Sequence, residues 1–291
     1  VSRIGGFTRL RDTILFGDCR KTIPTITEPV KMCVTSPPYY GLRDYGGEEN
    51  QIGMEESPEK YVEQLVNVFH SVREVLTDDG TLWLNIGDSY YNYRSDGNYP
   101  KQTVSKTNQD LPSFSPVRGN KLEGYKSKDL IGIPWLLAFA LRKDGWYLRQ
   151  DIIWNKPNPM PESVRDRCTK SHEYIFLFSK SKNYYFDVDS IKESTIDGKG
   201  LKRKKSVWTV NTKPYKGAHF ATFPPELIEP CIKAGSQKGD IILDPFIGSG
   251  TTGMVSKSLG RHYIGCELHQ SYNDLIQNRV SQYTINLEDF V

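Results

Sequence analysis

The sequence lacks the residues and segments that mark several protein classes. Its five cysteines are scattered, odd in number and without a CxxC spacing, so neither a disulfide framework nor a metal site is indicated. They are Cys19, Cys33, Cys168, Cys231 and Cys266. No apolar run approaches the roughly 18 residues of a membrane span, and the N-terminal segment has no continuous apolar core of a secretory signal. These absences predict a protein of a reducing compartment without a membrane partner, and the expected location is cytoplasmic.

The chain also lacks a large excess of charge of either sign. Its 38 Lys and Arg residues against 35 Asp and Glu residues give a net charge of only +3. Any surface for nucleic acid must therefore come from local clustering, and the clearest cluster is GKGLKRKKS at 198–206. A length of 291 residues is sufficient for one large α/β domain, with or without insertions. We predict a single domain over residues 1–291.

Short apolar runs alternate with helical patterns along most of the chain. TILFG at 13–17 and VKMCVT at 30–35 are typical of buried strands, and residues 57–76 predict an amphipathic helix with a Ser cap and Pro at its first position. TDDG is predicted to close this helix, and the next buried strand is predicted at 81–86. The order strand, helix, strand indicates parallel βαβ units. We therefore predict an α/β fold whose mostly parallel, twisted sheet carries helices on both faces.

Two polar stretches, roughly 91–128 and 189–218, interrupt this pattern. The first is rich in Tyr, Ser, Asn, Pro and Lys and has too few aliphatic residues to bury a core of its own, and the second is polar and basic. They combine Lys and Arg with Tyr, Asn, Ser and Trp208, which are side chains that phosphate and base-edge contacts require. They are either solvated surface loops or segments that contact DNA.

The stretch TSPPYY at 35–40 ends a strand in an unusual way. Pro37 and Pro38 cannot donate backbone hydrogen bonds, so they end the sheet ladder just past the strand. Each proline fixes its own φ and restricts the residue before it, which holds Ser36 and Tyr39 in a nearly predetermined arrangement. The pattern suits a rigid clamp for a flat, polar ligand. The alternative is a proline turn whose tyrosines only add bulk to the packing.

The segment DIILDPFIGSGTTG at 240–253 predicts a strand, a tight glycine turn and the start of a helix. Gly248 and Gly250 allow the backbone to pass close to a ligand, and open amides at a helix start favour an anionic group. The next strand ends in Glu267, whose carboxylate can accept hydrogen bonds from ribose hydroxyls. Thr251 follows Gly250 where a phosphate-binding P-loop has lysine, and the third glycine of a standard NAD site is absent. A nucleotide-like cofactor of another kind is indicated.

DPFIGSGTT together with TSPPYY resembles the amino-group DNA methyltransferases that use S-adenosylmethionine, in the permuted "beta" arrangement in which the catalytic motif precedes the cofactor motif. ILFGDC, LWLNIGDSY, WNKPNPMPESVRDR and HFATFPPEL are also similar to blocks of that family. The resemblance implies a Rossmann-like methyltransferase fold with circularly permuted motif order, in a bacterial, archaeal or phage protein. It implies double-stranded DNA as a partner, and it raises the expectation of a cognate restriction endonuclease and of a homodimer.

The resemblance also assigns site residues. It implies a catalytic motif of Ser36, Pro37, Pro38 and Tyr39. It implies cofactor contacts from Asp244, Phe246, Gly248, Gly250 and Thr252, with Glu267 on the ribose and Asp18 near the adenine. Candidate DNA ligands are Arg165 and Arg167, which lie in a family block, and the basic run Lys202, Arg203, Lys204 and Lys205.

The exocyclic amino nitrogen of cytosine or adenine is a poor nucleophile because its lone pair is delocalised into the ring. Acceptors at Ser36 and the Pro37 carbonyl could hold the two amino protons, while Tyr39 stacks on the flipped base. Cys33 lies inside an apolar strand, so it is interpreted as a core residue rather than as the nucleophile of carbon-5 methylation. In the family, Ser before PPY is usual for cytosine N4, and adenine N6 stays open. A non-catalytic DNA-binding module and a dinucleotide oxidoreductase are the rival classes.

Overall fold

One central sheet organises the residues that the structure, a computed structural model, describes, namely 3–4, 7–8, 10–41, 50–91, 122–213 and 223–281. The strands are β1 (Arg3–Ile4), β2 (Phe7–Thr8), β3 (Thr13–Phe16), β4 (Val30–Thr35), β5 (Leu76–Ile86), β6 (Tyr147–Asn155), β7 (His172–Ser179), β8 (Glu193–Ser194), β9 (Leu201–Lys202), β10 (Val207–Thr209), β11 (Ile241–Asp244) and β12 (His262–Glu267). The α-helices are α1 (Cys19–Thr22), α2 (Pro58–Val75), α3 (Ile133–Lys143), α4 (Pro225–Gly235), α5 (Thr251–Ser258) and α6 (Asn273–Ser281).

The central sheet has eight strands in the order β10-β6-β7-β5-β4-β11-β12-β3. Neighbouring strands are parallel except at β7, which runs antiparallel to both β5 and β6. Strand β4 pairs with β11, from the last third of the chain, so the two sequence motifs are on adjacent strands. The prediction of a mostly parallel sheet is confirmed, and the motif on β4 precedes that on β11 in the chain.

Hydrophobic clusters cover both faces of this sheet, and β4 shows how its sequence produces them. Successive residues of a strand point to opposite faces. Cys33 packs on one face in a cluster with Leu65 of α2, whereas Met32 packs on the other face with Ile228 of α4. An apolar strand without polar alternation is therefore the expected pattern for this position. The predicted helices on both faces are confirmed.

Strand β5 begins earlier than the sequence predicts. The TDDG segment was predicted to close the helix before a strand at 81–86, but the strand already starts at Leu76. Its pairing with β4 shifts register between Val30 and Met32, which marks an irregularity in the ladder. A Cβ added to Gly80 would lie 2.8 Å from the Thr77 carbonyl oxygen and 3.0 Å from that of Lys31. The lack of a side chain at Gly80 therefore lets the backbones of β5 and β4 approach within the segment that was predicted to close the helix.

Strand β10 lies within the second polar stretch and adds an edge to the central sheet, parallel to β6. Trp208, which the sequence grouped with side chains for DNA contact, is only 4% exposed and its ring centroid lies 6.4 Å from that of Trp83. That grouping was wrong for Trp208, because the indole packs into the apolar cluster beneath α4. Residues 92–121 of the first polar stretch and 214–218 of the second lie outside the described residues.

The cysteines behave as small apolar residues, as predicted for most of them. Cys19, Cys33, Cys231 and Cys266 are buried, whereas Cys168 is exposed. Burial raises the pKa of the Cys33 thiol well above its ordinary value, which disfavours the thiolate that a nucleophile requires. Among the described helices, none is both long enough and apolar enough to cross a membrane.

Candidate active site

A cleft opens where the parallel strands β3, β12, β11 and β4 end side by side. The loops that follow parallel strands meet at one edge of the sheet, which is where ligands bind in open α/β folds. The cleft is lined by all four predicted catalytic residues, Ser36, Pro37, Pro38 and Tyr39, and by the predicted cofactor residues Asp18, Asp244, Phe246, Gly248 and Glu267. The sheet therefore brings the two sequence motifs to one place.

Asp244 is the residue that joins the two motifs. Its carboxylate accepts a hydrogen bond from the Thr35 hydroxyl at 2.5 Å on one oxygen and from the Thr252 hydroxyl at 2.5 Å on the other. The backbone N–H of Phe246 adds a third bond at 3.0 Å. Burial nevertheless raises the pKa of Asp244 to about 6, because these donors offset only part of the desolvation of the charge. The carboxylate thus ties the end of β4 to the end of β11 and to the start of α5.

Gly250 and Thr252 do not line the cleft, although the sequence predicted both as cofactor contacts. Gly250 has a φ of +85°, and a Cβ there would lie 3.0 Å from Cγ2 of Ile276 on α6. The positive φ of Gly250 is therefore needed for the turn, and its lack of a Cβ is needed for the packing of α6 rather than for the approach of a ligand. Gly248, which also has a positive φ of +51°, does line the cleft. Thr252 acts from behind the cleft wall, through its bond to Asp244.

Glu267 and Asp18 close the other side of the cleft, and their environments differ. Burial raises the pKa of Glu267 to about 7, against backbone donors that include the N–H of His269 at 3.0 Å. Burial would also raise the pKa of Asp18, but the hydrogen bonds and charge of Arg20 outweigh it and hold that pKa below its ordinary value. The Arg20 guanidinium lies 2.8 Å from the Asp18 carboxylate. Asp18 is thus a fixed anion that also caps α1, whereas Glu267 can change its charge near neutral pH.

The proline clamp is fixed by contacts from α2 and β7. The Tyr61 hydroxyl donates to the Pro38 carbonyl oxygen at 2.7 Å. The Tyr39 hydroxyl donates to Glu173 at 2.7 Å, and burial raises the pKa of Tyr39 well above its ordinary value. Ser36 is half-buried and lines the cleft beside them. The structure therefore favours an ordered clamp over a turn that only fills space.

The predicted DNA ligands have different surroundings. Arg167 forms an ion pair with Glu162 at 2.7 Å and its guanidinium lies 3.8 Å from the centroid of the Tyr90 ring, so its charge is already engaged. In the basic run, Lys202 and Lys204 each lie 3.8 Å from Glu193. Arg165, Arg203 and Lys205 are exposed. These three are the better placed for an external phosphate.

Three residues of the site, Thr35, Thr251 and Glu173, were not predicted as site residues. Thr35 opens the TSPPYY motif but was given no role, and the parallel pairing of β4 with β11 is what brings it to Asp244. Thr251 lines the cleft and its hydroxyl is buried without a hydrogen-bond partner among the described residues. Glu173 is 134 residues from Tyr39 in sequence, so only the sheet pairing brings them together.

At pH values above the pKa of Asp244, replacing Thr35 with valine should lower the free energy of unfolding by about 1–3 kcal/mol. Valine has nearly the shape of threonine but lacks the hydroxyl, so the buried Asp244 carboxylate loses one hydrogen-bond donor. Thr35→Ser keeps the hydroxyl and should lose less than Thr35→Val at the same pH. Chemical denaturation of the three proteins measures this difference. Equal stability of Thr35→Val and the unmodified protein would show that the bond between the strand ends contributes nothing.

The raised pKa of Glu267 predicts a pH dependence of stability. A carboxyl whose pKa is higher in the folded state binds its proton more tightly there, so its contribution is present at low pH and is lost as pH rises from 4.5 to about 7. The free energy of unfolding of the unmodified protein, minus that of Glu267→Gln, should therefore decrease across this range. Glu63→Gln, at an exposed position of α2, controls for the loss of one carboxylate elsewhere. A difference that stays constant with pH would contradict the assignment.

Comparison with known proteins gives both a family and close relatives. A family model described as DNA methylase matches residues 30–278. The type II methyltransferase M.SmaI of Serratia marcescens is 52% identical over 269 residues, which cover 92% of this chain and 90% of the relative. M.Cfr9I of Citrobacter freundii is 50% identical over 276 residues, which cover 94% of this chain and 89% of the relative.

Solved structures agree with the fold. The PvuII DNA methyltransferase, described as cytosine-N4-specific, aligns with a TM-score of 0.67 at 18% identity over 96% of this chain and 92% of that one. TTHA0409 of Thermus thermophilus, a putative DNA modification methylase complexed with S-adenosyl-L-methionine, aligns with a TM-score of 0.60 at 23% identity over 93% of each chain. The predicted Rossmann-like methyltransferase fold is confirmed. Because the family match runs from β4 into α6 and includes both motifs of the cleft, the chain belongs to the family of DNA methylases.

Proposed function

We propose that this DNA methyltransferase transfers a methyl group from S-adenosylmethionine to the exocyclic amino group of a flipped base in double-stranded DNA, with cytosine N4 as the target. The observation that carries the proposal is the hydrogen bond between Thr35 and Asp244, at 2.5 Å. It holds the clamp that would bind the base against the loop that would bind the methyl donor. Relatives named as type II methyltransferases, at 50% and 52% identity, support the same activity.

The residues of the cleft fit S-adenosylmethionine. Two buried carboxylates, Asp244 and Glu267, favour a ligand that brings positive charge, because such a charge offsets their desolvation. Glu267 would accept hydrogen bonds from the ribose hydroxyls, and Asp18 would lie near the adenine. The start of α5, with the buried hydroxyl of Thr251, would hold the methionine carboxylate. When bound, the cofactor supplies an electrophilic methyl group on a sulfonium.

The clamp would prepare the nucleophile. Ser36 and the Pro37 carbonyl accept the two amino protons of the base and so direct the nitrogen lone pair away from the ring. The Pro38 carbonyl contributes differently, because the Tyr61 hydroxyl binds it and fixes the loop. Tyr39 supplies an aromatic face on which the flipped base stacks. Transfer is direct and uses no covalent protein intermediate, in accord with the burial of Cys33.

Ser36 supports cytosine as the target base. A serine hydroxyl is a neutral and weaker acceptor than the carboxylate or amide oxygen that is commoner before PPY in adenine enzymes of the family. The PvuII enzyme, whose structure resembles this one, is described as cytosine-N4-specific. Adenine N6 is the second candidate, since a hydroxyl can accept a proton from either amino group.

DNA contact is proposed for the two polar stretches, 91–128 and 189–218, which are insertions of the single catalytic domain over residues 1–291. Among their described residues, exposed Arg203 and Lys205 support a phosphate-binding role, and exposed Arg165 extends the basic surface. A cognate restriction endonuclease and a homodimer stay predictions, and the relatives named type II methyltransferases support the first of them.

The test of the function is incubation with labelled S-adenosylmethionine and unmethylated DNA, followed by digestion to nucleosides. We expect label in N4-methylcytosine. Label in N6-methyladenine would change the target base and leave the enzyme class intact. DNA binding without label would support the non-catalytic module instead and contradict the proposal.

Changing Ser36 to alanine should lower the single-turnover rate of methyl transfer by about 10²- to 10³-fold, because one acceptor for the amino protons is removed. Binding of S-adenosylmethionine, measured by calorimetry, should be unchanged, since Ser36 acts on the base. Ser258→Ala, at an exposed position at the C-terminal end of α5 and outside both the cleft and the polar stretches, is the control and should transfer at the normal rate. Loss of cofactor binding in a folded Ser36→Ala protein would instead place the clamp in the cofactor site.

Changing Arg203 and Lys205 to alanine should weaken DNA binding and reduce the slope of log affinity against log salt by about 1 for each phosphate that is no longer neutralised. The matched pair is Lys202 and Lys204, whose ammonium groups face Glu193, and their replacement should change the slope less. Binding titrations over a series of salt concentrations make the comparison. An unchanged slope in the Arg203 and Lys205 variant would remove this run from the DNA surface.

A further inference from the structure

A carboxylate on the antiparallel strand β7 holds the tyrosine of the clamp. The Tyr39 hydroxyl donates to Oε2 of Glu173 at 2.7 Å, within the short range of charge-assisted hydrogen bonds. Oδ1 of Asn85 lies further off, at 3.5 Å from the same hydroxyl. Tyr39 also forms a side-chain hydrogen bond with Ser36 of the clamp. Glu173 is the charged partner of the Tyr39 hydroxyl and its closer contact on β5 and β7.

Glu173 is itself held in place. Its side chain is only 15% exposed and forms an ion pair with Lys156, which follows β6. The amide of Asn85 donates to the same Oε2 at 3.2 Å and to the Tyr174 carbonyl at 3.1 Å. The nearly buried Glu173 carboxylate is therefore paired with the Lys156 ammonium, and it also accepts hydrogen bonds from the Tyr39 hydroxyl and the Asn85 amide. It is thus a rigid point from which the tyrosine can be positioned.

The backbone of β5 supports the ring from a second direction. Gly87 follows β5 directly, and a Cβ added there would lie 2.7 Å from Cε2 of Tyr39 and 3.3 Å from both Cδ2 and Cζ. The ring therefore lies on bare backbone where any side chain would displace it. Burial, together with the charge of Glu173, raises the pKa of Tyr39 well above its ordinary value, so the hydroxyl remains a donor.

We propose that Glu173 is a positioning residue for methyl transfer, which sets the plane of the Tyr39 ring on which the flipped base stacks. The inference rests on the proposed function and names how its base-binding face is oriented. Ser36 and the Pro37 carbonyl fix the amino group at one edge of the base, whereas the anchored ring fixes the plane of the base. Both are needed to direct one lone pair at one methyl group.

Tyr39→Phe tests the anchor with little risk to folding, since it keeps the ring and leaves the ion pair between Glu173 and Lys156 in place. It also removes the Tyr39 hydrogen bond with Ser36, which Glu173→Ala keeps, so the two variants are compared. We expect its single-turnover rate to fall by about 10- to 100-fold, because a misoriented base reacts slowly. Glu173→Ala should fall by a similar factor, and Glu173→Gln, which keeps an acceptor oxygen, should recover most of the rate. The double variant Tyr39→Phe with Glu173→Ala should be no slower than the slower single variant, since Glu173 acts on the base through the Tyr39 hydroxyl that phenylalanine lacks.

A second readout follows the base itself. In a duplex that carries the site modified by the wild-type protein, the modified cytosine is replaced with the fluorescent analogue pyrrolocytosine, or a modified adenine with 2-aminopurine. With the wild-type protein we expect high fluorescence anisotropy, because the extruded base is held against the ring. Tyr39→Phe and Glu173→Ala should lower this anisotropy at saturating protein, while the affinity for S-adenosylmethionine stays the same.

The outcomes separate this inference from the function on which it rests. If the wild-type protein methylates DNA and Tyr39→Phe equals it in both rate and anisotropy, the positioning role of Glu173 is wrong and the proposed function stands. Rate losses of Tyr39→Phe and Glu173→Ala that multiply in the double variant would also overturn the anchor. If the wild-type protein transfers no methyl group to any DNA, both the function and the positioning role are overturned.

Discussion

The active site depends on one buried carboxylate shared between two strand ends. Asp244 at the end of β11 accepts hydrogen bonds from Thr35 at the end of β4 and from Thr252 at the start of α5, each at 2.5 Å. Parallel pairing brings the strand ends together, but these side-chain bonds fix the loops that follow them. The clamp and the glycine turn are thereby held in one cleft, although the sequence places them far apart. Methyl transfer between two ligands requires this fixed relation, because a small displacement of reacting atoms lowers the rate steeply.

The two halves of the sheet have different tasks. The parallel half, from β4 to β3, supplies the acidic residues and the glycine turn for a cofactor. The antiparallel strand β7 instead directs its N-terminal end to the same edge, where Glu173 meets the hydroxyl of Tyr39. Reversal of this one strand thus adds a carboxylate to the base side of the cleft without lengthening any loop. Strand β10 forms the far edge of the sheet, where Trp208 is buried.

Much of this arrangement is predictable from local sequence, because strand ends and turns have local signals. The prolines after Ser36, the glycine turn after Asp244 and the acidic end of β12 at Glu267 all indicated a ligand site, and the fold followed from the alternation of apolar runs with helical periods. What could not be predicted depends on distant pairing. Glu173 reads as an ordinary residue at the start of a strand until its register with β5 is known, and Gly250 resembles a ligand-binding glycine until α6 is seen to pack on it. Likewise, only the position of Glu193 beside Lys202 and Lys204 shows that these two lysines are near a carboxylate, whereas Arg203 and Lys205 are exposed.

One cleft is proposed to orient a methyl donor toward the clamp, and a crystal structure of the protein with S-adenosylmethionine bound would show whether it does. We expect the ribose on Glu267, the adenine on the side of Asp18, and the sulfonium methyl facing Ser36 and the Pro37 carbonyl. A cofactor bound outside this cleft, or bound within it with the methyl group directed away from Ser36, would refute this arrangement.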